Sequence, residues 1–557
     1  MDGRLTDNQR FSLIVLAESL VPKENILSLC AFGPMVSGYG SDISDNDLII
    51  VTKDFTEKAV DVLGPGSIGP TPSIVDGAVL LDAAVRATLD ETVIVMFLNV
   101  YEPLLNEEFL RIVDTAYKKR IMAEKLIEIQ ADYGDFSSNL ILPYEYFLFD
   151  QLHKKALENP DLIDSYGHIY SGGQKRENLE FAIRGFHEAA GSLASNGILN
   201  NVEGCVTIMH GKEKRKNALR LLYKIHPRTT GGILRNAMHS VASIAGIEYK
   251  SKPLSKLKIM EKIESTIELD RPNKLLRLEE GVIFDDPSKV IEEVALLYGF
   301  SGTYEHAEEK KGGLINSSTQ LKLSGGGREA KFILKHFPEL KNVKWVLLNV
   351  WSFAAKRFNM TPLSRLNREV EAVQRLHLIG IKTHRITGVV LDERTLVSEY
   401  VTGEPLDKSV KEITSGISKD MNSVERYAQA LGKMHKAGLV YGDTKPANAL
   451  VRDDGIYLID LEQAVEHGNP SWDLAEFLYY SAKDSKDNEG LRLVAESFLA
   501  AYQTENGGRV IAKTRKIRLM LPFLPFLTPK KMKVIRKALA KYSLPQVPGE
   551  KRSTSLR

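Results

Sequence analysis

An aspartate, a lysine two residues on and an asparagine five residues on stand together in LVYGDTKPANALVRDDGIYLIDLEQA, and another aspartate closes the stretch. They are Asp443, Lys445, Asn448 and Asp460. Transfer of a phosphoryl group from ATP to a hydroxyl calls for this set of groups. One carboxylate orients the acceptor hydroxyl, and a lysine balances charge on the moving group. An asparagine and a second aspartate hold Mg²⁺ against the phosphates. Aspartate and asparagine also cap turns, but turn chemistry alone does not account for all four at this spacing.

The spacing resembles the catalytic loop and metal-binding aspartate of protein kinases, including the small RIO-type and KEOPS-complex kinases. The resemblance implies Asp443 as catalytic base, Lys445 as phosphate partner, and Asn448 and Asp460 as Mg²⁺ ligands. It also implies a phosphate-anchoring lysine on an upstream strand, with a glutamate partner on the next helix. Lys335 in KFILKHF has the alternating apolar neighbours of such a strand, and Lys356 lies too close to the helix that follows. Glu369 in LSRLNREVEAVQRL is the expected partner, with Glu371 its rival. The hinge around adenine is expected at Glu399 to Val401, supplying backbone groups. The phosphate-covering loop is placed at GGLINSS, Gly312 to Ser318, with Ser317 as a contact, although it lacks a G-x-G-x-x-G pattern. Gly325–Gly327 reads as a β-turn in the same lobe.

The sequence departs from the kinase pattern in three places. Tyr441 stands where histidine is usual, and Leu461-Glu462 replace Phe-Gly after the metal-binding aspartate. Only Glu462 to Pro470 separates Asp460 from SWDLAEFL, which leaves little room for an activation loop. Asp473 in that segment is expected to brace the catalytic loop. A serine/threonine-type kinase acting on itself or on one dedicated partner follows, with a small molecule as another acceptor.

A second constellation lies in FGPMVSGYGSDISDNDLIIV. Gly33 and Gly38, then Asp45 and Asp47 before an apolar strand, resemble the polymerase-beta-like nucleotidyltransferases. That resemblance implies a glycine turn holding a triphosphate, and two carboxylates on one strand face binding Mg²⁺. Asp76 or Asp82 would be the third carboxylate, with Asp76 preferred because it ends a strand. Pro34 replaces the usual serine and removes an N–H from the turn. A polar hairpin, or a fold that binds nucleotide without catalysis, fits the same residues.

The elements that must position these residues read as an α+β multidomain chain. Residues 1–115 alternate strand-like runs with Gly/Pro turns and form the nucleotidyltransferase-like domain. Residues 116–215 are mostly helical and end in a helix, a turn and the strand CVTIM, the close of many winged-helix domains. Residues 216–299 form a helical connection, 300–545 a two-lobed kinase-like domain with strands before helices, and 546–557 a disordered tail. The basic run GKEKRKNALR makes nucleic acid a candidate partner of the middle region.

The composition sets outer limits. A chain of 557 residues exceeds one core, and 43% hydrophobic with 26% charged residues is ordinary for a globular protein. A net charge of +2 favours neither a basic nor an acidic partner overall, and two cysteines exclude a disulfide framework. With no secretory leader and no long apolar run, a cytoplasmic location is expected. Beyond Val510 the chain is rich in Lys and Arg around LMLPFLPFLTP. Packing on the kinase domain is the favoured reading there. A peripheral membrane contact through Phe523 and Phe526 is the other. Two further functions stay open: nucleotidyl transfer regulated by the kinase domain, and an ATP-responsive nucleic-acid-binding scaffold.

Overall fold

The apolar runs ILSLCAF and DLIIVT become the two central strands of the first sheet. Both are buried on almost every residue, as strands covered on both faces must be. The computed structural model describes residues 4–40, 47–54, 59–61, 71–86, 93–160, 162–209, 216–218, 220–222, 272–300, 302–311, 317–338, 361–483 and 485–543. They fall into two compact units, Met1–Leu278 and Glu279–Arg557, each a mixture of sheets and helices.

The first unit opens with α1 (Asp7–Leu20), started by a Thr6–Gln9 capping box. Then come β1 (Ile26–Phe32), the one-turn α2 (Pro34–Ser37), β2 (Asp47–Thr52), β3 (Ala59–Asp61), β4 (Thr71–Asp76) and α3 (Gly77–Arg86). After β5 (Glu102–Leu105), α4 runs from Glu107 to Tyr133, capped by Asn106 with two glutamates in its first turn. The strand order among the described residues is β3-β4-β2-β1-β5. The β1–β2 and β1–β5 pairs are antiparallel, and β2–β4 is parallel. The boundary drawn at residue 115 falls inside α4, an unbroken helix with Val113, Tyr117 and Ile121 all buried on one side. Next come β6 (Ile141–Pro143), α5 (Tyr144–Glu158), α6 (Leu162–Ser171), α7 (Lys175–Ser195), and the hairpin of β7 (Leu199–Val202) with β8 (Cys205–Ile208). These three strands pair in the order β6-β8-β7.

In the second unit, β9 (Val282–Ile283) pairs with a later strand of the main sheet. Phe284, Val290 and Val294, the last two from α8 (Val290–Leu297), pack with Phe332, Val390 and Val397. The segment expected to be a connection as far as 299 is therefore part of this unit's core from about residue 282. Then follow β10 (Glu305–Lys311), β11 (Ser317–Gly325), β12 (Arg328–His336), α9 (Pro362–Leu378), β13 (Lys382–Thr383), β14 (Ile386–Val390) and β15 (Thr395–Glu399). The sheet order is β10-β11-β12-β15-β14-β9. Gly326 and Gly327 have φ of 58° and 76° in the β11–β12 turn, a conformation that favours glycine.

Helices dominate the rest. After β16 (Glu404–Pro405) come α10 (Leu406–Thr414), α11 (Asn422–Lys436), β17 (Leu439–Val440), β18 (Ala449–Arg452), β19 (Gly455–Leu458) and β20 (Val465–Glu466). They lead to α12 (Pro470–Lys483), α13 (Asn488–Asn506), α14 (Gly508–Thr514), α15 (Ile517–Met520) and α16 (Pro529–Tyr542). Phe523 is buried, its ring 5.2 Å from Tyr479 and 5.6 Å from Trp472. It is a core residue of this unit and cannot insert into a membrane as placed. The Phe526 side chain lies outside the described residues. No helix among the described residues is long and apolar enough to cross a membrane.

Candidate active site

Lys335 sits on β12 between two antiparallel neighbours, opposite Ser318 of β11 and Leu396 of β15. A central strand of this kind carries its lysine into the unit, and Lys335 is buried. Its Nζ lies 2.5 Å from Glu369 Oε2 and 2.5 Å from Asp460 Oδ1. Glu369 reaches it from α9, whose buried face runs through Leu366, Glu369, Val370 and Val373 at helical spacing. Glu371 is two residues on, about 200° around the helix, so it faces another direction and is half-buried. Of the two glutamates, Glu369 is the one within ion-pair distance of Lys335. Lys356 lies outside the described residues.

Burial opposes the Lys335 ammonium, yet Asp460, Glu369 and Glu462 hold its pKa above the ordinary lysine value. Glu369 feels the opposite balance: burial pushes its carboxyl up to about 7 against the pull of Lys335. His384, 3.8 Å from Glu369, is pushed down to about 3 by burial and by Lys335, so it is a neutral neighbour. Asp460 stays below the usual carboxylate range: burial opposes ionisation, but Lys335 overrides it. Its backbone is left-handed, φ 58°, an uncommon state for a non-glycine residue that clusters at functional sites.

The loop of residues 441–448 hangs from α12. One oxygen of the fully buried Asp473 accepts the Tyr441 amide at 2.7 Å and lies 2.9 Å from His435 Nε2. The other accepts the Gly442 amide at 2.9 Å. Glu476, one turn on, accepts the Thr444 amide at 2.8 Å and the Trp472 indole N–H at 3.2 Å. The brace expected of Asp473 is therefore real, and Glu476 and His435 complete it. The Tyr441 hydroxyl donates to the carbonyls of Asn448 and Ile459, tying the loop to the strand that delivers Asp460. The residue that departs from the kinase pattern thus has a structural task.

Within the loop, Lys445 Nζ lies 2.7 Å from Asp443 Oδ1. Burial works against the Lys445 ammonium, but Asp443 keeps its pKa high. Asn448 donates from Nδ2 to the Asp443 carbonyl at 2.9 Å, which turns its Oδ1 away as an acceptor. The Ile459 amide donates to the Asn448 carbonyl at 3.0 Å, setting Asn448 beside Asp460. An amide oxygen and a carboxylate form the hard-oxygen pair that Mg²⁺ takes, so the residues fit that ion. Glu369, Asp460 and Glu462 also bring oxygens within 4.8 Å of one another, with the Lys335 ammonium already among them.

At the hinge, Glu399 ends β15. Its amide donates to the Arg385 carbonyl at 3.0 Å, and the Tyr400 amide donates to the Lys331 carbonyl at 2.8 Å. Tyr298 donates its hydroxyl to the Glu399 carboxylate at 2.8 Å. Residues 312–316 of the expected phosphate-covering loop lie outside the described residues. Ser317 begins β11, in register with His336 and next to the Ser318–Lys335 pair.

The N-terminal constellation does not converge in this way. Asp45 lies outside the described residues, and Asp47 opens β2. The parallel register pairs Asp47 with Thr71 and Thr52 with Asp76. Asp47 and Asp76 therefore lie at opposite ends of the two strands, about 16 Å apart by strand rise. Asp76 instead accepts the amides of Ala78 and Val79 at 2.9 and 3.1 Å, capping α3. The expectation that it joins Asp47 at one metal site is corrected by this register. Asp82, on α3, pairs with Arg86 at 3.4 Å.

The glycine turn is closed on itself. The Ser37 amide donates to the Gly33 carbonyl, Gly38 to Met35, and Tyr39 and Gly40 to Pro34, at 2.9 to 3.3 Å. Gly38 has φ 79°, and a Cβ there would meet Gln174 Oε1 at 2.0 Å. Asn178 of α7 donates to the Ser37 carbonyl at 2.9 Å.

Residues 352–479 match the RIO domain family. The chain is 23% identical over 210 residues to the KEOPS complex subunit Bud32 of Pyrococcus abyssi, covering 36% of this chain and 94% of that protein. It is 27% identical over 157 residues to a probable serine/threonine-protein kinase, a BUD32 homolog, of Archaeoglobus fulgidus, covering 28% of this chain and 73% of the relative. A probable bifunctional tRNA threonylcarbamoyladenosine biosynthesis protein of Methanothermobacter thermautotrophicus is 28% identical over 97 residues, 17% of each chain. These likenesses support an atypical, protein-kinase-like phosphotransferase function for the C-terminal unit.

Proposed function

We propose that the C-terminal unit is an ATP- and Mg²⁺-dependent kinase that phosphorylates a serine or threonine hydroxyl, on itself or on one dedicated protein partner. The observation that carries this reading is the convergence at Lys335, which meets Glu369 from α9 and Asp460 from the catalytic segment at 2.5 Å each. Lys335 holds the nucleotide phosphates, oriented by Glu369. Val401 and Glu399 frame adenine through their backbone, and Ser317, at the start of β11, contacts the phosphates. Asn448 and Asp460 hold Mg²⁺, which shields phosphate charge when bound. Asp443 accepts a hydrogen bond from the acceptor hydroxyl and aligns it for attack. Lys445, held against Asp443, faces the developing charge on the transferred group.

The segment after Asp460 is tied down: β20 pairs with β17, and α12 begins at Pro470. That brevity supports a single partner in place of an extended peptide platform. The relatives named for the KEOPS complex and for tRNA modification make a protein of that machinery the first acceptor to try. In the middle region, the order β6, α5 to α7 and then a hairpin fits a winged helix. Its last helix, α7, is engaged by α4 through Thr115–Glu188 and Lys119–Ser192 contacts of 2.8 and 2.9 Å, which disfavours nucleic-acid reading by that face. The basic run at 211–220 lies mostly outside the described residues.

The second reading keeps the first unit as a nucleotidyltransferase-like nucleotide-binding domain, supported by the order β1, glycine turn, Asp47 strand; the amides of residues 37–40 are taken by the turn's own carbonyls, so nucleotide contacts there fall to other groups. One experiment separates the two. The purified protein is incubated with γ-labelled and, separately, α-labelled ATP plus Mg²⁺, with Asp443→Ala and Asp45→Ala alongside. Label from γ, lost in Asp443→Ala, supports the kinase. Label from α, lost in Asp45→Ala, makes nucleotidyl transfer the main activity.

A further inference from the structure

Glu462 follows the metal-binding aspartate by two positions, where the kinase pattern has glycine, and it is buried. Its Oε2 lies 3.5 Å from Arg365 Nη1 and 3.7 Å from Lys335 Nζ. Arg365 is fully buried, and its guanidinium also donates to the Pro338 carbonyl and stacks 5.6 Å from the Phe337 ring. The Lys335 ammonium lies 5.2 Å from the same ring.

Arg365 stands one helical turn before Glu369 on α9, so the two side chains share a face. Phe337 and Pro338 directly follow β12, the strand of Lys335. Three segments therefore meet at one guanidinium: the end of β12, the Glu369 helix, and the chain just past Asp460. An arginine in this position without a carboxylate would be a buried, uncompensated charge. Asp460 and Glu369 also favour the Arg365 charge, but glycine at 462 would remove the carboxylate that lies 3.5 Å from its guanidinium. Glu462 answers both buried cations at once, and it comes from the segment that carries Asp460.

We propose that Glu462 is a positioning residue that, through Arg365 and Lys335, holds the Asp460 segment against α9 and keeps the nucleotide site assembled before any nucleotide arrives. The role of this site rests on the kinase reading, but the coupling itself does not. The geometry assigns to a fixed ion pair the task that other kinases give to a phosphorylated loop.

Hydrogen exchange of the full-length protein without nucleotide tests the coupling directly. Glu462→Gln keeps side-chain size and removes the charge. Expected is exchange roughly ten-fold faster both in α9 around 365–376 and in 459–466, with β10 and β11 unchanged. Arg365→Met should give the same pattern, and the double variant should go no further than the worse single. Faster exchange in 459–466 alone, or additive effects, would overturn the proposal, and so would no change at all. Glu462→Asp should restore part of the protection, which a loss of packing alone would not permit. Binding of Mg²⁺ with a non-hydrolysable ATP analogue gives a separate readout. In Glu462→Gln its affinity should fall roughly ten-fold, with little change when Mg²⁺ is left out. If the wild-type protein binds no nucleotide, the kinase reading fails, and the exchange result still decides the coupling.

Discussion

The two units carry acidic motifs of similar appearance in the sequence, and the fold treats them differently. In the C-terminal unit, Lys335, Glu369 and Asp460 come from three separate elements and meet within 2.5 Å. In the N-terminal unit, Asp47 and Asp76 lie on neighbouring strands and are kept apart by their register. The difference lies in how each set is brought together. A loop such as 441–448 closes on itself and is anchored by buried acids from one helix, so its spacing alone sets its geometry. A site assembled across a parallel strand pair depends on which residue lies beside which, and spacing along the chain does not fix that.

Breaking the stronger site should have the largest effect. Asp443→Ala is expected to lower phosphoryl transfer roughly 10²- to 10⁴-fold, read by γ-label incorporation, with the thermal midpoint little changed. Asp473→Ala should act on both counts. It strips a buried acceptor from two amides and His435, so a loss of at least about 2 kcal/mol in denaturant unfolding should accompany most of the activity loss. If Asp473→Ala left activity intact, the loop would not need its brace.

Protonation of Glu369 gives a graded test. With its pKa raised to about 7, kcat/KM should climb as pH rises through 7, because the ionised form orients Lys335. Stability should move the other way. The folded state holds a proton on Glu369 that the unfolded chain releases near the ordinary glutamate value, so this group's contribution is fully present at low pH. It is lost as pH rises through about 7. Denaturant midpoints at several pH values should show that slope, and Glu369→Gln should flatten it.

The N-terminal turn should respond more modestly. Gly38→Ala forces a left-handed alanine against Gln174 and should cost about 1–2 kcal/mol from backbone strain alone, part of any further loss being recovered by Gln174→Ala. Asp76→Ala should cost about 1 kcal/mol, the worth of a helix cap, and leave any α-label transfer unchanged. A total loss of that transfer would return Asp76 to the metal site and erase the contrast between the units.

What the sequence made legible follows the same line. Asp443, Lys445, Asn448 and Asp460 were readable because they are local, and Lys335 because strand alternation marks a buried lysine with apolar neighbours. Glu369 was separable from Glu371 only once α9 had a buried face. Arg365 was invisible: it looks like a surface arginine until the segment past Asp460 folds over it, 97 residues away in sequence. Tyr441 and Glu462 stood out as departures, but their tasks needed the carbonyls and cations they meet. Phe523 belonged to a basic tail by composition and to a core by contact with Trp472 and Tyr479. The start of the second unit leaves little mark in the sequence, because β9 is two residues long and gives almost no periodic signal.

The short strand β20, pinned to β17, carries one more consequence. A segment held by backbone pairing can swing out only by breaking those hydrogen bonds, so any opening of the chain just past Asp460 is a local unfolding event and not the turn of a free hinge.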